Sequence, residues 1–362
     1  MKKSFKYRLY ATPKTLAKTE EVLNLCRILY NLCLEQRKNA WKYHQKSLTA
    51  SRQMLQLPDL KKAFPEFVKV PSQTRQDVIQ RLDKAYQAFF RRIKAGEKPG
   101  FPRFKSADRY DSFVLKQAGW HFEDKCLFIK NIGKFKIKLS RPVEGTIKTL
   151  AIRKSLSGKW YVCFSCDDVP AHPLPKTGKV IGVDMGCDSF LTDSNGRKID
   201  NPRFVKESEQ ILTQRQQSLS GKVKGSHRRK KARVLVAKIH EKVRNQRNDF
   251  HFKTANQLLK ENDTVYIEKL NNWKTFRCLN RSMRDVAWFN FFSILKGKAV
   301  EADREIVEVP ARGTSQNCSG CGKEVPKDLS VRIHSCPFCG LVLDRDYNAA
   351  LNVLRLGQSL RC

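Results

Sequence analysis

Four cysteines constrain this chain more than any other feature. Cys318 and Cys321 form one CxxC pair, Cys336 and Cys339 form another, and 14 residues separate them. Gly320, Gly322 and Gly340 allow each knuckle its tight turn. Two such knuckles supply four thiolates, the tetrahedral set that structural Zn²⁺ prefers. A four-cysteine site is coordinatively closed, so the expected zinc is structural and not catalytic. Reduced thiols are expected as well, because the N-terminal MKKSFKYRLY has no apolar run after its lysines and predicts no export. Cys26, Cys33, Cys126, Cys187, Cys278 and Cys362 stand alone and read as small apolar side chains. The CxxC of Cys163 and Cys166 sits in a strand pattern with no second pair nearby and reads as structural.

Charge narrows the partner. The 362 residues carry 71 Lys and Arg against 35 Asp and Glu, a formal net charge of +36. That excess excludes an ordinary metabolic-enzyme surface and points to nucleic acid. A membrane surface is the rival polyanion, but the most apolar stretch, VAWFNFFSIL, is only about half a membrane span, so no membrane partner is expected. With 40% hydrophobic residues the chain is globular, and its length suits two or three domains of roughly 100 to 200 residues each.

Periodicity then divides it. Thr12 before Pro13, followed by Val22, Leu23, Cys26, Tyr30, Cys33 and Leu34, predicts a helix from about 13 to 45. Val78, Ile79, Leu82, Ala85, Tyr86, Phe89, Phe90 and Ile93 predict a second helix whose aromatic stripe faces a core. After the loop KPGFPRFKS alternation takes over, with Leu127–Ile129, Phe135–Leu139, Thr149–Ile152 and Trp160–Phe164 as short strands of an antiparallel barrel or sandwich. VPAHPLPKTG, residues 169–178, reads as a linker. Residues 222–247 hold eleven Lys and Arg with one acid, Glu241, around a seam of Leu235, Ile239 and Val243. On so basic a chain this long helix is assigned to phosphate contact through Arg228, Arg229, Lys230, Lys231, Arg244 and Arg247.

Acids stand at the ends of elements in the second half. Val180–Val183 is an apolar strand closing on Asp184, Thr264–Ile267 is another closing on Glu268, and LDRDYNAA opens the last helix with Asp344 and Asp346. With the helix after Ser282 and a strand at Glu305–Val309, this is an α/β layer. A buried carboxylate is costly unless it meets a cation or a donor, whereas one acid at a helix start is explained as a cap. Carboxylates brought together call for hard divalent cations, and two such ions about 4 Å apart are the usual means of phosphodiester hydrolysis.

Taken together, GVDMG around Asp184, YIEKL around Glu268, TSQNCSGCG with SCPFCG, and DRDYNAALNV resemble the transposon-encoded TnpB (OrfB) family, relatives of the type V CRISPR effector nucleases. KYRLYATP, the helix with Gln76, the PGFPRFKS loop and VRNQRNDFHFKTANQL are similar to that family in order and spacing. The resemblance implies an α/β multidomain protein with an N-terminal helical bundle and an antiparallel β-barrel. A RuvC-like nuclease domain of RNase H fold follows, split by a zinc ribbon. Residues 1–12 would be the first strand of a wedge barrel, 13–106 a helical recognition domain and 107–175 the wedge barrel. The nuclease domain would span 176–315 and 342–362 around a zinc ribbon at 316–341.

The implied activity is RNA-guided DNA cleavage with Mg²⁺ or Mn²⁺ at Asp184, Glu268 and Asp346. Asp346 is preferred over Asp344 because it stands two before Asn348 in DxNAA. The implied partners are a guide RNA from the transposon end and double-stranded target DNA, with Arg75 and Gln76 on a helix that reads a short transposon-adjacent motif. A monomer within the RNA complex, in the prokaryotic cytoplasm and on the nucleoid when bound to target, is expected. The rivals are a nuclease-inactive RNA-guided binder, a zinc-ribbon DNA-binding protein or a transposase accessory. A single-strand transposase of the tyrosine type is disfavoured, since none of the seven histidines forms a His-hydrophobic-His pair.

Overall fold

A computed structural model describes residues 1–269, 282, 283, 285–328 and 330–360; Cys278 and Cys362 lie outside them. The chain separates into two compact units, Met1–Pro170 and Ala171–Cys362.

The first unit opens with β1 (Lys3–Tyr10) and α1 (Pro13–His44). The Thr12 hydroxyl accepts the Thr15 N–H at 3.3 Å and Pro13 supplies the first helical φ, so the helix starts where the sequence predicts. Two short helices, α2 (Ala50–Leu55) and α3 (Leu57–Ala63), and a 3₁₀ turn at Pro65–Lys69 lead to α4 (Ser72–Lys94). Six strands follow: β2 (Ser112–Leu115), β3 (Trp120–Glu123), β4 (Cys126–Ile129), β5 (Gly133–Lys138), β6 (Thr146–Lys154) and β7 (Trp160–Asp167). With β1 they form a seven-stranded sheet in the order β2-β6-β7-β1-β5-β4-β3, whose ladders are antiparallel. The chain's first strand is therefore central, paired with β7 on one side (Phe5 opposite Phe164) and β5 on the other (Leu9 opposite Ile137). Among the described residues no ladder joins β2 to β3.

One apolar core runs through helices and strands alike, with Cys26, Leu29 and Leu34 of α1 and Ile79 and Leu82 of α4 beside Phe135, Ile152 and Phe164. The aromatic stripe of α4 departs from its predicted burial. Val78, Ile79 and Leu82 are buried, but Phe90 is 60% and Ile93 49% exposed. The helical period continues for two turns past the last element that α4 is buried against, and sequence spacing carries no record of where that support stops.

The second unit is built on β8 (Val180–Met185), β9 (Ser189–Asp193) and β10 (Lys198–Asp200), then α5 (Phe204–Ser220), α6 (His227–Glu261) and β11 (Thr264–Glu268). α7 (Trp288–Ala302), β12 (Glu305–Val309), the hairpin β13 (Ile333–Ser335) and β14 (Val342–Asp344), and α8 (Arg345–Ser359) complete it. The sheet order is β10-β9-β8-β11-β12, with an antiparallel meander β8-β9-β10 and parallel pairs β8/β11 and β11/β12. β8 and β11 are covered on both faces, which is why they read as unbroken apolar runs. Ile181, Val183 and Ile267 pack with α6 and α7, while Tyr266 and Val309 pack with Val353 of α8. α8 lies close on the sheet: a Cβ at Gly182 would overlap the Ala350 carbonyl, and one at Gly357 would overlap the Tyr266 ring. The segment predicted as a linker is strapped down instead. His172 and Leu174 N–H donate to the carbonyls of Glu301 and Ala302 at 2.9 and 3.0 Å, and Arg304 holds the carbonyls of Leu174 and Pro175.

Candidate nuclease centre and metal-binding knuckles

Parallel register brings the strand-end acids together. Val183 of β8 stands opposite Ile267 of β11, so Asp184 and Glu268, one step further on, emerge side by side from the same end of the sheet. α8 packs against β8 and begins with Asp344 as its N-cap. Asp344 accepts the N–H groups of Asp346 and Tyr347, each at 3.1 Å, and the Lys198 ammonium at 2.7 Å. Against the cost of burial, the Lys198 ammonium first and the two capped N–H groups second hold its carboxylate below the usual range. Asp346 sits in the first turn beyond the cap, its side chain 15% exposed and touched by the Arg345 guanidinium at 3.1 Å.

Burial raises the Asp184 carboxyl well above its usual range, and the charges of Glu268 and Asp346 push the same way; Arg345 opposes them. Burial also raises Glu268, in part offset by the Thr314 hydroxyl, which donates to Oε1 at 2.5 Å. Asp184 thus lies within electrostatic reach of both other acids. The three are not a tight cluster: among the described residues, only the cysteine quartet brings three or more metal-ligating atoms within 4.8 Å of one another.

Cys318, Cys321, Cys336 and Cys339 form that quartet and could hold a metal. Sγ of Cys318 lies 3.6 Å from that of Cys339, and Cys321 lies 3.6 Å from Cys336. Desolvation opposes ionisation of Cys336, but N–H groups of Phe338 and Cys339 aimed at its sulfur bring the thiol down to about 6.

Residues of no obvious chemistry connect the two sites. Asn348 accepts the Ser319 N–H at 2.9 Å and donates to the Asn317 carbonyl at 2.8 Å. One turn on, Asn352 donates to the carbonyls of Asn317 and Thr314 at 2.7 and 2.9 Å. Both asparagines are fully buried, and their i, i+4 spacing on the helix that carries Asp346 is the one sequence signal that could have found them.

The predicted nucleic-acid contacts divide. Arg75 is buried and donates to the carbonyls of Phe67 and Val70 at 2.5 and 2.9 Å, so it braces the turn before α4 and does not reach solvent. Arg229 donates to the carbonyls of Leu219 and Lys222 at 3.0 and 2.7 Å, closing the α5–α6 corner. Arg247 pairs with Asp285 at 3.2 Å. Gln76, Arg228, Lys230, Lys231 and Arg244 are exposed. In α6 only Val243 of the predicted seam is buried, Leu235 being 41% exposed, because the basic half of the helix packs chiefly on α5.

Among the described residues no helix is long and apolar enough to cross a membrane. A family described as "Probable transposase" matches residues 161–277, and one described as "Cas12f1-like, TNB domain" matches residues 288–353. A protein from Streptomyces pristinaespiralis named as an RNA-guided DNA endonuclease is 33% identical across 99% of this chain and 90% of its own length. The CRISPR-associated endodeoxyribonuclease Cas12f1 of Sulfoacidibacillus thermotolerans is 26% identical over 56% of this chain and 51% of that protein. In fold, the chain is similar to Cas12f1 in its complex with single-guide RNA and target DNA, with a TM-score of 0.58 at 14% identity over 94% of this chain and 82% of that one. It is also similar to CasPhi-2 (Cas12j) bound to crRNA, with a TM-score of 0.52 at 10% identity over 99% and 98% of the two chains. Near-complete alignment to an RNA-guided relative, a Cas12-like fold and four cysteines beside an acidic helix start converge on one lineage: the chain belongs to the TnpB (OrfB) family, related to the type V effectors.

Proposed function

We propose that this chain is an RNA-guided DNA endonuclease that hydrolyses phosphodiester bonds at Asp184, Glu268 and Asp346. The observation that carries this is the emergence of Asp184 and Glu268 side by side from adjacent parallel strands, with Asp346 coupled to Asp184 from the first turn of α8. The strand order β10-β9-β8-β11-β12 supports a RuvC-like domain of RNase H fold, in which a meander precedes two parallel strands. The carboxylate oxygens of the three acids suit Mg²⁺ or Mn²⁺, and the raised Asp184 carboxyl is what a cation would relieve. Bound there, divalent ions supply an activated water and neutralise the leaving oxygen. The protein's own part is to keep Asp184 and Glu268 in register through the sheet, to orient Glu268 through Thr314, and to present Asp346 from the first turn of α8.

The four thiols fit structural zinc. Zn–S bonds of about 2.3 Å in a tetrahedron need sulfurs roughly 3.8 Å apart, close to the 3.6 Å found for both pairs. Guide RNA from the transposon end would select the double-stranded target by base pairing, with a short transposon-adjacent motif read by protein. Exposed Gln76, Arg228, Lys230, Lys231 and Arg244 remain candidates for nucleic-acid contact. The action is assigned to the cytoplasm of a prokaryote, with one protein copy per guide RNA.

The test begins with protein purified from a host carrying its own locus, followed by sequencing of the copurifying nucleic acid. One discrete RNA with a variable guide end is expected. Programmed with that RNA, the wild type should cut a matched duplex in Mg²⁺, and Asp184→Ala or Glu268→Ala should keep the RNA and lose cleavage by at least about 10³-fold. Undiminished cutting by either variant would remove the acids from the mechanism.

A further inference from the structure

The end of α4 and the loop after it carry a cluster of rings that solvent reaches. Tyr86, Phe89, Phe90 and Phe101 lock together, four pairs of centroids lying 5.2 to 6.4 Å apart, with Phe101 edge-on to both Tyr86 and Phe89. Tyr86 and Phe89 are half-buried and form the base, while Phe90 and Phe101 are 60% and 46% exposed. Arg91, Arg92, Lys94, Lys98 and Arg103 are interleaved with them, all exposed. Glu97 is the one acid in residues 86–104, and it lies 4.0 Å from Arg92.

Contiguous exposed rings on a soluble surface mark an interaction site, and the charge around these selects the occupant. A second copy of the chain would set five cations against the same five, and protein interfaces are depleted of charge at their centre. Duplex nucleic acid offers phosphates but hides its base faces in the stack. An unpaired strand offers both, base faces to the rings and phosphates to the cations. RNA is the source that fits: a guide held throughout would cover the rings before any DNA is met, and its single-stranded segments leave bases free to splay.

We infer that Phe90 and Phe101, with Arg91, Lys94 and Lys98, form a stacking platform for unpaired bases of RNA. The choice of RNA, and its identity as the guide, rest on the RNA-guided function above, but binding of an unpaired strand to the rings does not. The probe is an unstructured RNA of about 10 nucleotides, titrated into the full chain freed of copurifying nucleic acid.

Phe90→Leu with Phe101→Leu keeps apolar bulk and removes the stacking faces. It should weaken binding roughly 10-fold or more with an unchanged salt slope, whereas Phe90→Trp should bind as well as the wild type. Arg91→Gln with Lys94→Gln should instead lower the salt slope by about 1.4. Melting curves identify any variant that fails to fold, and the Phe90→Leu single change, at the most exposed ring, then carries the comparison. Wild-type affinity in the leucine variants would overturn the platform in favour of an apolar protein partner. Tighter, ring-dependent binding of single-stranded DNA of the same sequence would overturn the choice of RNA. Ring-dependent binding of the short RNA without any discrete copurifying RNA would keep the platform and defeat the RNA-guided function; the converse result would do the reverse.

Discussion

Asp184 and His251 are both buried in the second unit, and burial moves them in opposite directions. Asp184 is raised by desolvation and by the neighbouring acids, so without a metal its favourable contribution is complete below the unfolded carboxyl value near 4 and is lost as pH rises through the raised folded value. Asp184→Asn should therefore raise the melting temperature of metal-free protein near neutral pH, by on the order of 1 kcal/mol in stability, and flatten its decline with pH. A lower melting temperature than wild type in EDTA would contradict this. His251 is 1% exposed, donates from Nε2 to the Val286 carbonyl at 3.1 Å and accepts the Asn290 amide at Nδ1 at 3.0 Å. Among Phe190, Phe250 and Phe291 it is held neutral, desolvation pulling it down to about 4. The unfolded chain takes up that proton near 6.5, so stability should fall as pH drops from 6.5 toward 4. His251→Gln should lose stability at pH 7 yet show a shallower fall over that window. Because the two residues tilt the curve oppositely there, the paired variants and not the wild-type curve separate them.

At the scale of elements, α8 couples the acidic centre to the cysteine knuckles. Asn348 and Asn352 grip the segment entering the first knuckle, and Thr314 in that segment holds Glu268. Thr314→Val should lower the maximal cleavage rate and weaken Mn²⁺ binding several-fold with little change in RNA affinity, while Thr314→Ser should restore both. Equal cleavage by the valine variant would show that Glu268 needs no such partner. How much of this was legible varies with the physics. β8 and β11 were readable because strands covered on both faces must be apolar throughout, which leaves an acid at the end conspicuous. The cysteine quartet was readable because metal geometry fixes spacing. The asparagine grip was not, since buried Asn earns its place through backbone partners that only folding brings near. Nor was the burial of Arg75, whose charge looks the same in sequence whether it faces phosphate or two carbonyls.

Over the whole molecule the +36 charge is not evenly available. Arg75, Arg229 and Arg247 are occupied internally, whereas Arg228, Lys230 and Lys231 stand exposed at the start of α6. Arg228→Gln, Lys230→Gln and Lys231→Gln together should reduce the salt slope of non-specific duplex binding by up to about 2.7. Arg75→Gln should leave the slope unchanged and lower thermal stability. A slope that responds to Arg75 and ignores the α6 trio would reverse that assignment.

The central place of β1 has a consequence for how the protein is made. Residues 3–10 are made well before their partners in the sheet, since β5 is completed only at Lys138 and β7 only at Asp167, and the Met1 amine is fixed to the Val169 carbonyl at 2.7 Å. The half of the sheet on the β7 side of β1 cannot form until the end of the unit has been made. β1 must wait, with Phe5, Tyr7 and Leu9 uncovered, until β7 has been synthesised before both of its edges are paired, and that interval is when a nascent chain is most exposed to misassociation.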